Sequence, residues 1–200
     1  MLIDLLKKTR NFRDLSKTNF SRKDMTAVMK YAMETTRFVH GIRNSQSLKY
    51  LILLDDKKVK EFSKILKEKL GKENKKEHKF NPDGFIIIIN NKEVLEKERS
   101  IYCNAGIVAQ ILTMALQENK IDSCIISVMS DKKFSEKIIK DTKYSAVLVV
   151  AFGTSVMDTT VIDISNGEST RYHSTDKENF VPKIICEELY FYDSFDDKKE

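Results

Sequence analysis

Two guanidinium groups and an amide stand close together at Arg10, Asn11 and Arg13, directly after a short apolar segment of helical spacing. Planar forks of N–H donors bind phosphate or polarised carbonyls through charge-assisted hydrogen bonds, so this stretch has the chemistry of an anion clamp. A second polar group, His40, Gly41, Ile42, Arg43, Asn44, Ser45 and Gln46, forms a loop between an amphipathic segment and an apolar run at 48–54. Plainer readings stand beside these. Arginines near a helix end are favoured there by the helix dipole. Turn amides such as Asn44 and Gln46 often satisfy loop backbone groups, and His40 equally suits a structural hydrogen bond.

Cys103, Cys124 and Cys186 are far apart and show no CxxC pairing. That distribution fits free thiols in a reducing compartment better than a disulfide framework or a zinc site. His40, His78 and His173 are equally scattered, so no metal centre is expected. Cys124 has no basic neighbour in sequence to lower its pKa and reads as a small buried hydrophobe rather than a redox thiol.

Alternating helices and strands must position these groups. Ser21 followed by Asp24 has the form of a helix entry, and Met25, Val28, Met29, Ala32 and Met33 continue at helical spacing to a stop near Phe38. The run 48–54 reads as a strand, and Val59, Phe62, Ile65, Leu66 and Leu70 as an amphipathic helix with Gly71 as its C-cap. Pro82-Asp83-Gly84 turns the chain into 85–89, an unbroken apolar, mostly β-branched run expected to be a strand buried on both faces. A long helix follows through Ile101, Ile107, Val108, Ile111, Leu112 and Leu116, thinned at Asn104, Ala105, Gly106 and Ala109 so that another element could approach. Then come a strand over 121–128, a short helix over 131–140 and a strand over 146–153. The segment 158–166 reads as an extra strand or hairpin, and 177–188 leads to a final apolar Leu189, Tyr190 and Phe191. Strands separated by long, uneven helices make an α+β pattern.

With 200 residues and 41% hydrophobic content, the chain can bury one sizeable core, and a single domain over 1–200 is the expectation. No apolar run approaches bilayer-spanning length, and the first residues show no leader pattern, so a cytoplasmic protein without membrane contact is expected. The net charge of +5 raises the question of nucleic acid. The densest lysine region, 57–79, is interleaved with Glu61, Glu68, Glu73 and Glu77, a solvated face rather than a binding stripe, so no nucleic-acid partner is expected.

Taken in order, these stretches resemble the FMN-dependent nitroreductase family, in particular its short clostridial-type members. Residues 9–13 are similar to that family's opening Arg-Arg-Ser-x-Arg, and 40–48 to its Pro-Ser-x-x-Asn-x-Gln-Pro-Trp, best matched at Asn44-Ser45-Gln46. Residues 102–110 are similar to its Asp-x-Gly-x-x-x-Gln helix, 122–127 lie where it has a Gly-x-Gly-Ser-Cys-Trp type loop, and 147–153 match a Leu-x-x-x-Gly ending. Arg171-Tyr172-His173 and Phe180-Val181-Pro182-Lys183 look like a tail with Val-Pro-Lys-Arg. The chain departs from the pattern at Thr9, Asn11, His40-Gly41, Ser47-Leu48 and Ile184.

The resemblance implies a nitroreductase-like α+β fold with a central mixed, mainly antiparallel sheet flanked by helices, in an intertwined homodimer. It implies FMN as cofactor, NADH or NADPH as donor, and a nitroaromatic, quinone or similar electron-poor small molecule as acceptor, with the chemistry on the flavin rather than on a protein nucleophile. By the same resemblance Arg10 and Lys183 would face the phosphate side, with Asn11 in the same clamp, and Arg13 would lie near N1 and O2 of the ring. His40, Gly41, Ile42 and Asn44 would reach the flavin from the partner subunit, and the backbone around Ile126 and Ser127 would face N5 and O4. The same scaffold hosts other flavin reactions, so a specialised dehydrogenase, dehalogenase or flavin-handling enzyme is an alternative, as is a non-catalytic flavin-binding protein.

Overall fold

A computed structural model describes residues 2–70, 80–128 and 132–193. The expected cap Gly71, together with Glu73, Glu77, His78 and Asp131, lies outside the described residues. In chain order the elements are α1 (Leu2–Lys8), β1 (Leu15–Ser16), α2 (Arg22–Arg37), a 3-10 turn (Ile42–Asn44), β2 (Leu48–Leu53), α3 (Asp56–Leu70), β3 (Gly84–Asn91), α4 (Glu98–Glu118), β4 (Asp122–Ser127), α5 (Lys132–Ile138), β5 (Tyr144–Ser155), β6 (Asp158–Ile164), β7 (His173–Ser174), β8 (Glu178–Ile184) and a second 3-10 turn (Cys186–Glu188). The chain divides into two compact units, Met1–Ser155 and Val156–Glu200.

In the first unit β3 and β5 form the middle of a five-stranded sheet. β2 pairs antiparallel with the outer edge of β3. β5 is long enough to serve two partners along its other edge: β4 pairs with it up to Gly153, and β1 pairs with Thr154 and Ser155. All these strand pairings are antiparallel, and the parallel component is an isolated bridge between Asn11 and Ser123.

Helices cover both faces. Ile86 and Ile88 of β3 pack with Met25, Val28 and Met29 of α2 and Leu112 and Leu116 of α4. Phe85, Ile87 and Ile89 pack on the other face with Val59, Phe62 and Leu66 of α3 and Phe134 of α5. Successive β-strand side chains point to opposite faces, which is why this strand carries no polar alternation: each face meets a helix layer. Ser21 caps α2 as its sequence predicts, its Oγ accepting the Asp24 amide at 3.1 Å.

The second unit is a three-stranded sheet in the order β6-β8-β7. The segment 158–166 forms a strand rather than a hairpin, and its partner is β8, paired in parallel from Asp158–Glu178 to Ile164–Ile184. His173 stacks on Phe180 with ring centroids 5.0 Å apart. Residue patterning does not announce β7 or β8, because β7 is only two residues long and Pro182 interrupts the strand signal of β8. Proline is compatible with a sheet where no ladder bond from its nitrogen is needed.

Candidate functional site

The N-terminal clamp is built against the edge of β4. Asn11 Oδ1 accepts the Ile125 amide at 2.8 Å, and the Phe12 amide donates to the Ser123 carbonyl at 2.9 Å. Phe12 and Leu15 are buried, which leaves Arg13 on the exposed side. Arg13 is near enough to Cys124 for its charge to favour the thiolate, although burial dominates and pushes the Cys124 thiol up to about 11. The Cys124 side chain is buried in the core with Phe12 and Leu15, as the sequence reading of a small buried hydrophobe expects. Arg10 is half-buried and donates from one guanidinium nitrogen to the carbonyls of Leu6 and Thr9, each at 2.7 Å, at the C-terminal end of α1. Asn11 and Phe12 therefore hold the segment that carries Arg10 and Arg13 against β4, whose last residues are Ile126, buried, and Ser127, exposed.

Close approach of β1 makes this arrangement possible. A Cβ on Gly153 would lie 2.4 Å from the Ser16 carbonyl oxygen, so only glycine lets the N-terminal segment run so near β5. Asp14 is buried beside it, and the Ser155 hydroxyl donates to its carboxylate at 3.0–3.1 Å. Asp122 accepts the Ser155 amide at 2.7 Å. Burial raises the Asp122 pKa, the Ser155 amide opposes this, and the Asp14 charge adds to it.

The second group forms a strained loop. Arg43, Asn44 and Gln46 have φ of 58°, 50° and 50°, three non-glycine residues in the left-handed region within four positions. Each such residue costs on the order of 1–3 kcal/mol and persists only where its surroundings enforce it, commonly at binding sites. His40, Gly41, Ile42 and Asn44 are all exposed or partly so, whereas Ser47 and Asn104 beneath them are buried. Asn104 Oδ1 accepts the Ile42 amide at 2.7 Å, and Asn104 Nδ2 donates to Glu96 Oε1 at 2.9 Å. The Ser47 hydroxyl donates to the other oxygen of Glu96. A cavity of about 180 Å³ lies under the loop, with Thr36, Tyr50, Asn104 and Val108 in its wall; burial raises the Tyr50 pKa there.

From sequence, Asn104 reads as part of a thinned helix and of the 102–110 stretch that resembles the family's helix, and Glu96 does not stand out. The available signal is the mismatch at Ser47, a hydroxyl where the resembled family has proline.

The two groups lie along opposite edges of the sheet: the N-terminal segment meets β4 at Ser123 and Ile125, opposite Phe152 and Val150 of β5, whereas the loop enters β2 at Leu48 opposite Asn90, whose partner on β5 is Ser145. Ser127 ends β4 opposite Leu148. With β3 and β5 between them, three interstrand steps separate β2 from β4 by roughly 14 Å. Lys183 belongs to the second unit, where it is exposed on β8 opposite Asp163. On α4, Ala105 and Ala109 are fully buried, four residues apart on one helical face, and the element that approaches them is the chain's own core. Gly106 is on the other face, with Cys103, Ile107 and Gln110 exposed beside it and nothing within 4 Å of where its Cβ would stand.

No protein-family model matches the sequence, and no curated protein matches it. Solved structures do. An FMN-dependent nitroreductase from Clostridium difficile is similar at 18% identity over 96% of this chain and 99% of its own, with a TM-score of 0.63. The nitroreductase CinD from Lactococcus lactis, solved with nicotinic acid, is similar at 18% identity over 77% of this chain and 89% of its own, with a TM-score of 0.59. A structure from Desulfovibrio desulfuricans in complex with FMN is similar at 15% identity over 85% of this chain and 90% of its own, with a TM-score of 0.60. The structural neighbours are thus nitroreductase-family proteins over most of the chain, and the fold is the nitroreductase fold.

Proposed function

We propose that the protein is an FMN-dependent oxidoreductase that takes electrons from NADH or NADPH and passes them to a nitroaromatic, quinone or similar electron-poor small molecule. One observation carries the reading: Asn11 and Phe12 are fastened to β4 at Ile125 and Ser123, which brings the arginine-bearing segment 10–13 to the edge of the strand that ends at Ile126 and Ser127. The donor set fits FMN, since two guanidinium groups match a phosphate and the polarised carbonyls of the ring. The likeness to an FMN-bound structure and to CinD, which was also solved with 4-nitrophenol and with chloramphenicol, supports the same choice.

Flavin, when bound, supplies hydride and electron transfer at its own ring. The chain's task is to bind and orient it. Arg10 neutralises phosphate, and Arg13 holds positive charge toward N1 and O2. Lys183 is assigned a second phosphate charge by the family resemblance.

The 40–44 loop contributes from a second copy of the chain. The roughly 14 Å between the β2 and β4 edges favours this over both groups of one chain gripping the same ring. Exposed apolar side chains agree with such a homodimer: Leu2 and Ile3 on α1, which buries nothing, Ile107 on α4, and Phe191 and Tyr192 near the end of the described chain. Isolated exposed apolar residues are ordinary, but several long ones on elements with little cover mark an interaction surface. Among the described residues no helix is long and apolar enough to cross a membrane. The free thiols Cys103, Cys124 and Cys186 suit the cytoplasm.

The purified protein is expected to be yellow, or to become so on addition of FMN, and to sediment as a dimer. It should then oxidise NADH or NADPH only when a nitroaromatic or quinone is supplied. Absence of flavin bands after FMN addition removes the proposal. A flavin-loaded protein inactive across the acceptor panel leaves a flavin-binding protein without this activity.

A further inference from the structure

We infer that Asn104 and Glu96 are the positioning residues of the 42–47 loop: together they hold its left-handed conformation and so fix what it presents to a ligand. The consequence for flavin rests on the functional reading above; the holding of the loop does not. Three left-handed residues between Ile42 and Ser47 would relax if the loop ends were released, so the ties at those ends decide its shape. Both ties converge on Glu96. Ile42 is reached through the Asn104 amide, whose oxygen accepts from the loop and whose nitrogen donates to Glu96, and Ser47 donates to Glu96 directly. Asn104 and Ser47 are buried and Glu96 partly so, while Ile42, Arg43 and Asn44 remain exposed.

The polarity of the network is specific. Glu96 as a carboxylate only accepts, so position 104 must both accept from Ile42 and donate to Glu96, which an amide does and a carboxylate does not. Asn104→Asp keeps the acceptor for Ile42 but sets two carboxylates against each other. Glu96→Gln alone is tolerated, because a neutral amide can accept from Asn104 while the Ser47 hydroxyl turns to accept from it. In the double variant Asn104→Asp/Glu96→Gln the donor and acceptor exchange places. The amide now at position 96 donates to the carboxylate at position 104 and accepts from Ser47, and that carboxylate still accepts from the Ile42 backbone.

The test measures FMN dissociation constants for the parent, both single variants and the double variant, with hydrogen–deuterium exchange over 42–47 in the absence of FMN. Asn104→Asp should weaken FMN binding about tenfold, the effect of one lost charge-assisted bond, and should raise exchange in the loop. The double variant should return binding to within about twofold of the parent and restore protection. Unchanged loop exchange in Asn104→Asp overturns the inference, as does a failure of added Glu96→Gln to restore protection. If the parent takes up no FMN, the flavin reading falls while the exchange series still decides the role of the pair. If exchange behaves as expected but flavin affinity is unaffected, the pair shapes the loop and the loop does not serve the flavin, which overturns the ligand half of the inference.

Discussion

Asn11 Oδ1 accepts the Ile125 amide across 114 positions of sequence, and beside the Phe12–Ser123 backbone bond it ties the N-terminal segment to the edge of β4. Removing it in Asn11→Ala should lower unfolding free energy by about 0.5–1.5 kcal/mol, the net value of a single neutral hydrogen bond. FMN affinity should fall by more than that, because Arg10 and Arg13 flank the anchor and lose their placement with it. Asn11→Asp keeps an acceptor for Ile125 and should recover most of the stability. Urea denaturation and flavin fluorescence titration on both variants measure the two effects. Equal FMN affinity in Asn11→Ala and parent would show that the anchor does not position the clamp.

Arg10 and Arg13 stand three residues apart yet should give different phenotypes. Arg13→Ala should lower the FMN midpoint potential, since reduction places negative charge toward N1 and O2, which a nearby cation stabilises. Arg10→Ala and Lys183→Ala should mainly weaken FMN binding, by about 1.5–3 kcal/mol for each charged hydrogen bond. Potentiometric titration separates them. An unchanged potential in Arg13→Ala, with weakened binding, moves Arg13 to the phosphate side.

Local patterns are the legible part of the sequence. Ser21 and Asp24 announce the start of α2 because capping uses residues three apart, and the 85–89 run announces a doubly covered strand because composition alone carries that signal. The nearness of Asn11 to β4 is not legible: a side chain bonding to a backbone amide 114 residues away leaves no periodic trace. Neither is the Glu96–Asn104–Ser47 network, whose members come from a loop, a helix and a strand entrance. The burial of Ala105 and Ala109 shows a further limit. Small residues say that something approaches closely, and only the structure tells that it is the chain's own core. β8 is hidden by Pro182 and by a partner, β6, that pairs with it in parallel from across an intervening segment.

Asp122 sets a dependence of stability on pH. Its pKa is raised, by burial first and by Asp14 in addition, while the Ser155 amide pulls the other way. The Gln117 side chain, with its nitrogen toward Asp122, offers a further donor at 3.2 Å. A folded-state pKa above the unfolded value of about 3.9 means that the folded chain binds more protons between the two values. This residue's contribution to stability therefore declines as pH rises from the unfolded value through the folded one, and above that the charge is a constant cost. Asp122→Asn, which keeps an oxygen for the Ser155 amide, should raise the Tm at pH 7 and lose that advantage as pH falls toward 4. Thermal melts of both proteins between pH 4 and 8 check the sign; an advantage that grows toward acid would contradict the raised pKa.

Gly153 is where the sheet and the clamp constrain each other. It pairs with Asp122 of β4 at the point where β5 passes from β4 to β1, and the Ser16 carbonyl oxygen would be only 2.4 Å from a methyl group placed on it. The obstructing atom belongs to backbone, so it cannot swing aside as a long side chain would. Gly153→Ala should therefore push β1 away from β5 and cost roughly 1–3 kcal/mol, the usual range for overpacking a closed site. The displacement should travel toward Asp14, Arg13 and Asn11, which are continuous with β1, and FMN binding should weaken although position 153 is not proposed to touch the flavin. Gly106→Ala is the matched control, because nothing lies within 4 Å of the new methyl in the chain and alanine favours helix over glycine by about 1 kcal/mol. Denaturant melts and FMN titrations on the two variants should diverge, with Gly153→Ala losing both stability and affinity and Gly106→Ala gaining stability if its face is open. Loss of dimer in Gly106→Ala by sedimentation, with the fold intact, would instead place a partner subunit against that glycine.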